Sequence, residues 1–142
     1  MSLGEEIIEQ LKAKLGELYK GEYWRKKNRL YVNIDSKGIV DASRLLIEKY
    51  GARLCAISVV DAGLRGLDIV YHFALDHLEK SLHVHLKPTL PHDNPEIDSI
   101  TPYTPQANWT EREMMELAGI KFKGHPDPRH IFLPYEWPEQ PK

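Results

Sequence analysis

All ten prolines of this chain fall between Pro88 and Pro141, and the first 87 residues contain none. Proline fixes φ and removes a backbone donor, so it is disfavoured in helix interiors and central strands. The asymmetry divides the 142 residues into a regular half and an extended half of turns and arms. A chain of this length makes one domain and can bury a core without disulfide or metal staples.

The regular half is read by period. Ile7, Ile8, Leu11, Leu15 and Leu18 recur at helical spacing, with Gly21 placed to end or follow that helix. Tyr23-Trp24 and Leu30 to Ile34 read as two strands around a basic turn, Arg25 to Asn28. Val40, Leu45, Leu46, Ile47 and Tyr50 fit a second helix that Gly51 ends. Leu54 to Val60 is an apolar run expected to form a central strand, with Cys55 buried in it. Alternating segments over 66–76 and 80–87 complete the set. The expected class is α+β, a two-layer α/β fold. Its order is helix, two strands, helix, three strands in a mixed sheet, then a Pro-rich arm containing one short helix. The α/β domain is assigned to 4–107. The helix and arm, over 108–142, pack on the same domain or on a partner.

Composition narrows the function classes. A formal charge of −2 argues against a general nucleic-acid binder. A single cysteine excludes an internal disulfide, and it excludes a Cys-rich zinc or iron–sulfur site carried by this chain alone. No apolar run reaches the length of a membrane span. Glu5 and Glu6 lie within a helical period at the N-terminus, unlike a signal peptide, so a cytoplasmic protein is expected. There is no phosphate-binding glycine loop and no serine nucleophile elbow.

Two constellations carry chemistry. On the last two strands Ile69, Tyr71, Phe73 and Leu75 share one face, as do Leu82, Val84 and Leu86. A turn centred on His77-Leu78 would set His72 opposite His83, with Val70 opposite His85. His72, His83 and His85 then share the outer face, where imidazoles can hold an ion. The plainer account is the polar side of a half-buried sheet. A small standalone metal-binding protein or enzyme using this face is the alternative function. Asp61, followed by Ala62-Gly63, reads as a turn residue rather than a site carboxylate.

The second constellation runs from Asn108 to Leu133. Thr110 and Glu113 have capping-box spacing, with Trp109 and Met114 placed as a hydrophobic staple. Glu111 and Glu113 put negative charge in the first turn. Arg112 and Glu116 are four apart, and Gly119 supplies a left-handed stop. The helix so bounded has about two turns, too short to stand alone. Ile120 and Phe122 then alternate with Lys121 and Lys123. Gly124-His125-Pro126-Asp127-Pro128-Arg129-His130 is either an acid–base histidine with an orienting aspartate or a rigid polar loop. The absence of a nucleophile favours the loop. The tail from Ile131 to Pro138 is rich in large apolar groups, which suit an interface.

These same residues carry a likeness. Asn108-Trp109-x-Glu111-Arg112-Glu113-x-x-Glu116, followed by Gly119-Ile120-x-Phe122-x-Gly124-His125-Pro126-Asp127-x-Arg129, resembles the signature of the 30-kDa subunit of respiratory complex I, the C subunit of NADH-quinone oxidoreductase. Membrane-bound energy-converting NiFe hydrogenases and related archaeal complexes have similar subunits. Val59-Val60-Asp61, Asp68 to Phe73 and Asn94 to Ile100 extend the likeness, which covers about residues 30 to 137. Ala118, Pro128 and His130 depart from the usual pattern. A Pro-Leu-Arg-Lys-Asp continuation typical of complex I does not appear before Lys142. These departures favour the hydrogenase-like or archaeal branch.

The resemblance implies a non-catalytic hydrophilic subunit with no cofactor of its own. Such a subunit docks on a large catalytic subunit, of the 49-kDa or hydrogenase type, and near a small iron–sulfur subunit. The iron–sulfur clusters and the NiFe or quinone site belong to those partners. It implies a cytoplasmic protein, peripheral to the membrane through its complex. Separately, the apolar tail allows a homodimer when the chain is isolated from its partner. Trp109, Glu111, Arg112, Glu113, Glu116, Gly119, Gly124, His125, Pro126, Asp127 and Arg129 become interface or segment-organising residues.

Overall fold

A computed structural model describes residues 2–126. The chain opens with α1 (Leu3–Leu15), followed by the hairpin β1 (Tyr19–Lys26) and β2 (Arg29–Ile34). Next comes α2 (Ile39–Arg44), which continues through a π-helical turn, Leu45–Lys49. Three strands follow: β3 (Arg53–Asp61), β4 (Leu67–Ala74) and β5 (His83–Leu90). The described part closes with β6 (Glu96–Asp98), α3 (Ala107–Ala118) and β7 (Lys121–Lys123). The main sheet is five-stranded, in the order β1-β2-β5-β4-β3. β2 and β5 pair in parallel and the other neighbours are antiparallel, so the sheet is mixed, as expected.

Helical spacing on α1 turns Ile7, Ile8, Leu11 and Leu15 to one side, and all four are buried. They meet the alternate residues Leu30, Val32, Tyr71, Phe73, Val84 and Leu86 of the sheet in one core. Ile97, Ile100, Ala107, Ile120 and Phe122 belong to that same core, so the described stretch beyond residue 107 packs against the α/β layer. β6 and β7 form a separate parallel pair that the sequence pattern does not announce.

Several expectations need correction. Gly16, not Gly21, closes α1, with φ 56° and its N–H bonded to Lys12 O. Gly21 instead lies in β1 at φ 140°, beside a register shift. β3 is an edge strand rather than a central one, and Cys55 is exposed. Its apolar run is half covered, because one of its faces is open. Gly51 does stop the second helix, at φ 65°, with its N–H on Ile47 O. At Gly66, φ 122°, an added Cβ would sit 2.2 Å from the Leu90 carbonyl oxygen, so only glycine fits.

Candidate functional site

The signature helix divides its own residues into two groups. On the inward side Glu111 is fully buried. The segment after β6 wraps its carboxylate. Ser99 Oγ and Thr101 Oγ1 donate to Oε1 at 2.6 and 2.7 Å, and the Ile100 N–H donates to Oε2 at 2.8 Å. His125 Nε2 lies 3.7 Å from Oε1, with side-chain exposures of 1% and 0% for the two residues. The same nitrogen is 3.4 Å from the Asn108 carbonyl oxygen. Gly124, at φ 78°, makes the reversal that brings His125 back onto the helix. Burial pushes the Glu111 pKa up. The hydrogen bonds from Ser99, Ile100 and Thr101 and the nearby His125 pull it down in part. Under the helix the phenol of Tyr71 is also fully buried, which raises its pKa well above the ordinary value, and the charges of Glu111 and Asp98 add to the shift.

This arrangement replaces the expected capping box. α3 begins three residues earlier than Thr110, its N-cap is Gln106, and no side chain caps it. It runs for 12 residues instead of about two turns. Thr110 is a first-turn residue, and Glu111 ties the helix to a distant segment rather than to its own N-terminus. Gly119 does supply the left-handed stop, at φ 68° and ψ 21°, with its N–H on Met115 O. The chain's capping box is at α1, where Ser2 and Glu5 exchange both bonds.

The outward side of α3 carries Trp109, Arg112, Glu113, Glu116 and Leu117, at spacings that share a stripe. Trp109 is 54% exposed and Leu117 is 72% exposed. The Arg112 guanidinium lies 5.8 Å from the Trp109 ring centroid. Arg112, Glu113 and Glu116 are half-buried, and Arg112 and Glu116 are engaged rather than free. Pro126 is exposed at the end of the described residues, and Asp127 and Arg129 lie outside them. The carboxylate beside His125 is therefore Glu111, and the pair is closed off from solvent. That suits a joint between segments better than acid–base chemistry on a substrate.

The histidine face exists, in a different register. His72 pairs with His85, and His83 with Ala74, a slip of two positions from the expected pairing. Alternation survives a slip of two, so the same residues still face outward. His72 Nδ1 and His85 Nδ1 are 2.8 Å apart, so one donates to the other. His72 Nε2 pairs with Ser58 Oγ at 3.0 Å, and His83 Nδ1 sits 3.1 Å from Ser81 O. His85 Nε2 is buried with no hydrogen-bond partner among the described residues. Desolvation, then His83 and Arg29, lowers the His72 pKa. Desolvation, then His72, lowers that of His85 to about 4. Two imidazoles bonded to each other do not aim their lone pairs at a common ion. Among the described residues, no cluster of three His, Cys, Asp or Glu side chains could hold a metal.

The histidines are part of a ring ladder across the sheet. Tyr23 stacks on Tyr31 at 5.1 Å, Tyr31 on His85 at 4.2 Å, and His72 meets His85 edge-on at 4.8 Å. Asp68, on the same face and 3% exposed, accepts Arg65 Nη2 at 2.6 Å and Thr89 Oγ1 at 2.5 Å, with Lys87 Nζ 3.9 Å away. Asp61 accepts the Gly63 N–H and faces His92 Nε2, each at 2.9 Å, as its turn reading requires. Sequence reasoning missed Asp68 as a charge centre, and it missed Ser99 and Thr101. The available signal was two hydroxyls flanking one apolar residue, Ser99-Ile100-Thr101, beside a proline. Hydroxyls at buried positions require an acceptor.

A sequence-family profile described as "Respiratory-chain NADH dehydrogenase, 30 Kd subunit" matches residues 32–142. The C subunit of F(420)H(2) dehydrogenase from Methanosarcina mazei is 45% identical over 91 residues, 60% of this chain and 56% of that protein. The C/D subunit of NADH-quinone oxidoreductase from Methylococcus capsulatus is 42% identical over 73 residues, 51% of this chain and 12% of that protein. The C subunit of NADH-quinone oxidoreductase from a Nocardioides species is 34% identical over 102 residues, 72% of this chain and 40% of that protein. The matches therefore span at most 56% of these relatives' own length. Among solved structures, the archaeal membrane-bound sulfane sulfur reductase contains a chain with TM-score 0.73 at 24% identity, covering 96% of this chain and 76% of that one. A trypsin-resistant fragment of Nqo5 matches with TM-score 0.72 at 21% identity, covering 87% and 97%. At these identities the two structures establish the shared fold.

Proposed function

The chain belongs to the 30 kDa subunit family of respiratory-chain NADH dehydrogenase, and from that premise we propose that it is the non-catalytic hydrophilic subunit of a membrane-bound redox complex. It docks on the large catalytic subunit, near the small iron–sulfur subunit, and supports electron transfer by holding them in place. It carries no cofactor of its own, and the clusters and the NiFe or quinone site lie in its partners. Its departures at Ala118, Pro128 and His130 and its likeness to an archaeal F(420)H(2) dehydrogenase subunit support an archaeal or hydrogenase-like complex. Among the described residues no helix is long and apolar enough to cross a membrane. In this reading the chain is held at the membrane through its complex, on the cytoplasmic side. Isolated from its partners, the chain can pair with a second copy through its apolar tail, residues 131–138.

The observation that carries this reading is the split within α3. Its buried side is locked by Glu111, while its outward side presents an exposed Trp109 with Arg112 over the ring. Tryptophan and arginine are the residues that most often carry interface energy. A large ring with half of its surface exposed, on a rigidly held helix, is suited to anchor an interface. Co-purification from the source cells tests it. Trp109→Ala and Arg112→Ala should each reduce the large subunit retained by about tenfold. Each should lower the domain's own stability by less than it lowers retention. Retention at the wild-type level by both variants would overturn the reading.

A further inference from the structure

The three helices share one core with one side of the main sheet. On the other side Asp68, Val70 and His85 are buried at the centre, while Tyr23, on β1, is 38% exposed. This β1–β2 end carries the Tyr23–Tyr31–His85 stack, whose rings face one another and turn their edges outward. Five cations lie on or beside it: Lys20, Arg25, Arg29, Arg65 and Lys87. Arg25 lies 5.8 Å from the Tyr31 ring centroid, and Lys87 lies 5.4 Å from that of Tyr23. The one strand carboxylate among them, Asp68, is buried and already committed to Arg65, Thr89 and Lys87. Asp35, at the end of β2, is committed as well, capping the Lys37 N–H at 2.9 Å. Lys20, Tyr23, Arg65, Asp68, Lys87 and Thr89 line a cleft of about 590 Å³ at this end of the sheet. The whole chain has a net charge of −2, so this face is charged against the balance of the molecule.

We propose that the β1–β2 end of this sheet face is a second docking surface, separate from α3, and that it seats an acidic segment of a neighbouring protein subunit in the cleft beside Tyr23. Carboxylates of that segment meet Lys20 and Lys87 in the cleft and Arg25 and Arg29 beside the ring stack, while its aliphatic groups pack on the outward ring edges. A cationic face complements such a segment and repels another copy of itself. Stacked tyrosines supply rigid contact area at low entropic cost. That the partner is a subunit of the redox complex rests on the function proposed above.

The test uses the full chain in its complex. Lys20→Glu/Arg29→Glu should reduce retention in the complex about tenfold while leaving the melting temperature unchanged. The control pair Lys12→Glu/Lys14→Glu, on α1, should retain partners as the wild type does. If the first pair melts early, Lys20→Gln/Arg29→Gln replaces it, with a smaller loss in the same direction expected. Carbodiimide treatment of the complex should join Lys20 to an aspartate or glutamate of another subunit. A link to a second copy of this chain would overturn the proposal. So would full retention by the Lys20/Arg29 variants in a preparation where Trp109→Ala is lost. That last result would leave the α3 reading intact, and retention by every variant would remove both.

Discussion

Glu111 and His85 are buried to nearly the same depth, at 0% and 4% exposure, on opposite sides of the sheet. The carboxylate is met by three hydrogen-bond donors and a histidine. The imidazole shares one nitrogen with His72 and has no partner for the other among the described residues. A buried polar group with its bonds made holds a structure together, and one without them weakens it. The first cluster is therefore a closed joint that fixes α3. The second is a concession made by the fold, on the face proposed to meet a partner.

The largest expected effect tests the joint. Glu111→Ala strips the acceptor from Ser99, Ile100 and Thr101 together, and should cost about 3–5 kcal/mol in chemical denaturation. Glu111→Gln keeps one acceptor oxygen, and the two hydroxyls can turn to accept from its amide, so it should recover more than half of that loss. A loss under about 1 kcal/mol for the alanine variant would break the comparison, since satisfied burial would then count for little.

The next effect concerns pH. His85 has a folded pKa of about 4, below its ordinary 6.5. The unfolded chain binds its proton first, so this stabilising contribution is complete above about pH 6.5 and is lost as pH falls toward about 4. Glu111 is shifted the other way. Its folded pKa lies above 4.5, so its contribution is complete below that value and declines as pH rises through the folded pKa. Over the acid limb His85 should remove about 2 kcal/mol, and His85→Phe should flatten that limb. Glu111→Gln should leave the limb in place. A wild-type curve unaffected by His85→Phe would mean that the imidazole gains its proton in the fold as easily as outside it.

Smaller effects sharpen the contrast. Trp109→Ala, on the exposed stripe, should change stability by no more than about 0.5 kcal/mol, whatever it does to partner retention. Tyr71→Phe removes a buried hydroxyl that has no hydrogen-bond partner among the described residues. It should be neutral or stabilising by a few tenths of a kcal/mol. A loss above about 1 kcal/mol would place Tyr71 inside the Glu111 joint.

How far these clusters were legible depends on the range over which each is specified. α1, α2 and the core faces of β4 and β5 follow from period alone, because 3.6- and 2-residue spacing is set residue by residue. Gly51 and Gly119 stop helices through their own backbone freedom. Register is different. Alternation constrains β4 and β5 only to parity, and the length of their connection chose His72 opposite His85. The edge position of β3 depends on strand order, which no local pattern contains. Glu111 was misread for a further reason. Thr110 and Glu113 imitate a cap, whereas the partners of Glu111 lie ten to twelve positions earlier in the chain. The true capping box at Ser2 and Glu5 has the same local spacing, and nothing tertiary overrides it there.

The parallel pairing of β2 with β5 has a consequence for how the molecule is made. β1 with β2, β3 with β4, and β4 with β5 are chain neighbours that can zip early. β2 must wait for β5 until α2, β3 and β4 have been threaded between them. Closing so long a loop is entropically slow, and contacts of high sequence separation dominate folding times. The seam under Tyr31 and His85 is therefore the last part of the sheet to close. Until it does, two apolar strand edges are open at once, and the nascent chain is most prone to aggregate in that interval.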